Sequence, residues 1–157
     1  MQQTFLFSAA RPLVLLHAAL AITLVGASSH HAYATYSYLR GRSSARQSRI
    51  FARSVAITYV LTMAVGVLAY PTYRYYVRAL FLDRYAPWAS NLFDIKENLA
   101  TVGLPAALAA WSISRFLDDD GGRLMRAGYA VMVALVTAIV WVDVFSGLLV
   151  TMERAVG

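Results

Sequence analysis

The sequence predicts an all-α integral membrane protein of four transmembrane helices, with a short amphipathic outer segment between spans two and three. Three observations lead there. The 157 residues are 59% hydrophobic and only 14% charged, whereas a soluble domain is nearer half apolar and a quarter charged. The apolar residues gather into four stretches, each near or above the ~20 helical residues that cross ~30 Å of hydrocarbon. Cations cluster between the stretches, where a net charge of +6 is explained by membrane topology rather than by nucleic-acid binding. Four spans consume most of the length, so residues 1–157 form a single transmembrane domain.

Span one covers residues 12–36. A secretory signal is the alternative there, with an apolar run over 12–27 and a small-residue site at Ala32-Tyr33-Ala34. The uncharged stretch up to Arg40 is long for such a signal, so a first span is preferred. The following loop carries Arg40, Arg42, Arg46, Arg49 and Arg53 with no acidic residue. Span two covers 54–74 and runs through Pro71. Beyond it, Tyr73, Tyr76, Val77, Leu80 and Phe81 recur at helical spacing, with Arg74, Arg78 and Asp83 on the other side. Such a pattern predicts an amphipathic helix on the outer surface, or an extension of span two beyond the lipid. Its rings Tyr73, Tyr76 and Phe81, with Trp88, are candidate partner contacts. Pro87 and Asn91 mark the turn into span three, 92–116, which Pro105 is expected to kink. Asp118, Asp119 and Asp120 read as a solvated loop whose last acid caps span four, 124–150.

Both basic loops, 40–53 and 115–126, are expected on the cytoplasmic side of the plasma (inner) membrane, which puts both chain ends outside. Tyr33, Tyr36 and Tyr38 suit the inner headgroup level, and the basic loop suits anionic lipid. Small and hydroxyl side chains define three inward faces: His17, Ala21, Leu24, Ser28, His31 and Thr35; Ser54, Thr58, Thr62, Gly66 and Ala69; Glu97, Thr101, Pro105, Leu108 and Ser112.

The candidate site follows from this topology. His17, Glu97 and Asp143 are ionisable residues inside three different spans, where a charge costs roughly 2.5–3.5 kcal/mol at a helix centre. All three fall roughly 7–11 Å below the outer boundary at 1.5 Å per residue. Lys96, Asp94 and Arg74 lie near the same level. Three chemistries suit such a cluster: a divalent metal on His17, Glu97 and Asp143, a proton relay, or an ion-pair network with Lys96 and Arg74 that holds the bundle in register. Separately, His17 and His31 stand about 21 Å apart along one helix. Their spacing resembles the two-haem arrangement of cytochrome b, in which one helix supplies an axial ligand near each face. Spans two to four contain no histidine, so a b-type haem here would need a second copy or a partner to complete its ligands.

No cysteine is present, which excludes disulfides and thiolate chemistry. No hydrolase motif or phosphate-binding loop appears, and enzymatic activity is not expected. The leading functional expectation is a non-catalytic or accessory subunit of a larger membrane assembly, contacting the bilayer and either a membrane-protein partner or its own copies. Haem or metal redox chemistry is the alternative, and a proton or ion pathway through the bundle is a further one.

Overall fold

The computed structural model describes residues 6–118 and 122–156. Asp119 and Asp120 of the expected acidic loop, and with them the Asp120 cap, lie outside the described residues.

Helix α1, Ala10–Leu39, follows a single 3-10 turn at Phe7–Ala9. The Ala32-Tyr33-Ala34 tripeptide is part of α1, with Ala34 buried. The helix stops because Gly41 takes a left-handed φ of 68°. This lets the Gly41 and Arg42 amides return to the carbonyls of Tyr38 and Ser37 at 3.0 and 2.9 Å, closing the helix end with a residue that has no Cβ to strain. Helix α2, Ala45–Tyr73, starts well before residue 54, since Arg46, Arg49 and Arg53 stay helical and exposed outside the apolar stretch.

Pro71 lies inside α2 and cannot donate to the α-helical ladder. Just beyond it the helix widens into a π-helical segment, Arg74–Leu82. The outer segment is therefore an extension of α2 and not a separate surface helix. A short helical turn at Asp83–Tyr85 leads into α3, Pro87–Ser114. Proline suits the first helical turn, where its missing N–H has no partner to lose. Because α3 starts at Pro87, Asn91 is within the helix and marks no turn. Helix α4 covers Arg123–Val156.

Each helix packs against the next, and α1 closes the ring on α4. Contacts between residues 17 and 62, 59 and 100, and 28 and 137 set every neighbour antiparallel, as in an up-down-up-down bundle. The α2–α3 turn, the start of α1 and the end of α4 share one end, the hairpin end. The α1–α2 and α3–α4 connections share the other, the basic end. Three apolar clusters fill the interior, around Val77, Leu82 and Ala89 at the hairpin end, Leu24, Val55 and Val140 in the middle, and Ala45, Leu117 and Val133 at the basic end.

Three helical segments, Phe7–Leu39, Ala45–Tyr85 and Arg123–Glu153, are long and apolar enough to cross a membrane. Helix α3 is long enough but carries Asp94, Lys96 and Glu97 in its first half. The outward faces suit lipid: Ile22 is 74% exposed and Val131 70%. Apolar exposure on this scale is foreign to a monomer in water.

Candidate functional site

The side chains that face inward are set by one stripe per helix. On α1 the expected face is correct, for Leu24, Ser28, His31 and Thr35 are all buried. On α2 the buried stripe is Ser48, Ala52, Val55, Tyr59 and Thr62, turned slightly from the one expected. Ser54 and Thr58 instead satisfy their hydroxyls on their own helix, at the carbonyls of Ile50 and Ser54.

On α3 the expected face is wrong. Thr101, Pro105, Leu108 and Ser112 are exposed, while Gly103, Ala107, Ala110 and Ser114 are buried. The smallest residues decide this contact because they let helix backbones approach closely. Counting back in helical steps from Gly103 through Ala100 reaches Lys96. The lysine, not Glu97, therefore stands on the inward face. On α4, Tyr129, Val133, Val136 and Val140 are buried, and the same stripe continues to Asp143 and Gly147.

A polar layer results, with a contribution from every helix. His17 of α1 donates from Nδ1 to the Thr62 carbonyl of α2 at 3.0 Å, and its ring lies where a Cβ on Gly66 would come within 3.1 Å. Lys96 of α3 extends toward α4, its Cε 3.5 Å from the place of a Gly147 Cβ. It lies within electrostatic reach of both His17 and Asp143, yet forms no ion pair with Asp143 among the described residues. Asp143 is half-buried, and its Oδ1 is buried without a hydrogen-bond partner. Tyr59 closes the layer from below. It is 3% exposed, donates to the Ala100 carbonyl at 3.2 Å and lies within electrostatic reach of Asp143. Its hydroxyl occupies the space that a side chain at Gly103 would need.

Glu97 lies on the flank of α3 beside Tyr70, within electrostatic reach of Lys96 and Arg78 but not gathered with His17 and Asp143. Arg74 is exposed. The cation that pairs is Arg78, one turn further along. Its guanidinium grips Asp94 with two bonds, of 2.6 and 2.7 Å, and reaches Asp83 at 3.7 Å. Ser90 donates to the Asp83 carboxylate. These contacts clamp the π-helical segment onto α3.

Among the described residues, no three His, Cys, Asp or Glu side chains gather as a metal site requires, so His17, Glu97 and Asp143 do not form the expected ligand set. His31 does not offer a haem its ring either. It is 2% exposed, and its Nε2 lies 2.6 Å from the Tyr129 hydroxyl. Tyr129 donates onward to the Ser48 carbonyl at 3.3 Å, which makes His31 Nε2–H the donor to Tyr129. The pair forms a second polar layer near the basic end, separated from the first by the apolar middle cluster.

Of the aromatic partner candidates, Tyr73 stacks on Phe93 at 4.5 Å and Tyr76 meets Phe7 at 5.1 Å. Phe81 packs on Tyr85 and on the hairpin-end core. Trp88, with Tyr75 and Tyr85, remains exposed. Sequence reasoning missed Tyr59 and Tyr129, although both fall on helical steps with valines of the same face and each carries a polar tip that needs a partner when buried.

Comparison with known proteins finds no matching family, no similar curated protein and no similar solved structure.

Proposed function

We propose that the chain is a four-span membrane protein that serves as a non-catalytic subunit of a larger membrane assembly, supplying it with a protonatable centre. That centre is Asp143 with Lys96 and His17. The observation that carries the proposal is the buried Asp143 oxygen without a partner. A carboxylate kept only for structure gains from closing on its cation, since leaving a charged group unsatisfied costs more than about 1–3 kcal/mol. Here the ammonium lies nearby and stays unpaired with it, an arrangement suited to a group that takes up and releases a proton.

A subunit role is supported by what lies below the centre. Tyr59, Leu24, Val55 and Val140 fill the middle of the bundle, so a proton taken up at Asp143 does not continue toward the basic end through this chain alone. A partner then uses the centre or completes its path. The clamped hairpin, with Trp88 and Tyr85 exposed, is the surface to meet it. Eight arginines, from Arg40, Arg42, Arg46, Arg49 and Arg53 to Arg115, Arg123 and Arg126, favour the basic end as cytoplasmic in the plasma (inner) membrane, with the hairpin end outside. Helix α3 spans with the other three, its charged first half lying near the hairpin end and partly exposed there.

Purification from native membranes in mild detergent tests this proposal. A co-purifying membrane protein, retained by Asp143→Asn while its proton-linked activity falls, is the expected result. A lone monomer with no co-purifying protein contradicts the subunit role.

A further inference from the structure

The geometry points to a binding site for the phosphate of an anionic lipid headgroup at the basic end, in the groove between the end of α1 and the start of α2. The groove has a volume of about 300 Å³ and is lined by Tyr33, Tyr36, Ser37, Arg42, Ser43 and Gln47. It uses the orientation proposed above only to decide which leaflet supplies the lipid.

Charge is the first argument. The earliest acidic residue in the chain is Asp83, so neither α1 nor α2 offers a countercharge to the arginines at 40, 42, 46, 49 and 53. Beyond the end of α3, Asp118 meets the basic end at Tyr38. There Tyr38 donates to the Asp118 carbonyl at 2.6 Å, and Arg126 covers the Tyr38 ring at 5.2 Å. Among the described residues no carboxylate pairs with Arg42.

Geometry is the second. The left-handed turn at Gly41 and the 2.9 Å bond from the Arg42 amide to Ser37 fix the backbone from which Arg42 projects. Ser43 donates to the Ala34 carbonyl at 3.3 Å, tying the loop to α1. Arg42 and Gln47 are exposed and supply donors for phosphate oxygens.

The walls favour a lipid over a free ion. Tyr33 is 70% exposed, and Arg40 lies 5.3 Å over the Tyr36 ring. Rings at this level sit among headgroups. A phosphodiester can thus meet Arg42 while its glycerol and acyl chains pass Tyr33 along the apolar side of α1.

The full chain in neutral detergent, titrated with phosphatidylglycerol, phosphatidylcholine and inorganic phosphate under native mass spectrometry, tests the site. Phosphatidylglycerol should bind and phosphatidylcholine should not. Arg42→Gln with Gln47→Leu should weaken the binding about tenfold or more, the effect of losing a charge-assisted contact. Arg53→Gln, away from the groove, should leave it unchanged. Both variants alter exposed side chains, and an unchanged helical circular dichroism spectrum confirms that they fold. Equal loss from Arg53→Gln, unchanged binding in the groove variant, or displacement of the lipid by equimolar inorganic phosphate would each overturn the proposal.

Discussion

Two charged groups stand two residues apart on α3 and are treated differently by the bundle. Asp94 is held by both terminal nitrogens of Arg78 and stabilises the hairpin. Two residues on, and on the opposite side of the helix, Lys96 faces an aspartate it does not close upon, and Asp143 Oδ1 has no partner. The clamp lies at the end of the bundle, where water shares the cost of its charges. The centre lies among helices, where an unsatisfied charge has nothing else to turn to. A charge that is satisfied explains itself by stability. One that is not calls for another explanation, and proton exchange is the one we advance.

The largest effect should come from breaking the clamp. Arg78→Ala leaves Asp94 and Asp83 without their cation and is expected to cost about 2 kcal/mol, less than a fully buried pair because both carboxylates are partly exposed. Thermal denaturation in detergent measures this, and an unchanged midpoint would show that the clamp is ornamental. Next comes Gly103→Ala. Its methyl group meets the Tyr59 hydroxyl and lies 2.9 Å from an Ile139 methyl, so overpacking of about 1–2 kcal/mol is expected. Tyr59→Phe in the same background should recover part of that loss by removing the colliding oxygen.

The centre should respond with the opposite sign. Asp143→Leu removes an unsatisfied carboxylate from the interior and is expected to raise stability by about 1 kcal/mol. A fall of 2 kcal/mol or more would mean that Lys96 and Asp143 are a structural pair after all. The smallest effect belongs to Arg74→Gln, an exposed site expected to stay within about 0.5 kcal/mol.

The same contrast explains how much was legible beforehand. Helix number and order, the fate of Pro71 and the inward face of α1 follow from hydropathy and spacing, because apolar length and burial in the bundle select them directly. The face of α3 does not. Threonine and serine at 101 and 112 look like helix-contact residues, but they can satisfy themselves, as Thr101 does at the Glu97 carbonyl. Glycine and alanine at 103, 107 and 110 cannot be replaced as easily at a close approach. One residue of rotation exchanged Glu97 for Lys96 and changed the chemistry of the site. The Arg78–Asp94 pair was equally hidden, since the π-helical widening shifts every side chain after Arg74 around the axis.

The most direct measurement is the infrared signal of protonated carboxyl groups in the reconstituted chain, followed across pH. A titrating band that disappears in Asp143→Asn and survives in Asp94→Asn is the predicted result. A band that persists in Asp143→Asn, or a wild-type chain with no titrating carboxyl band, would contradict the assignment of Asp143 as the protonatable centre.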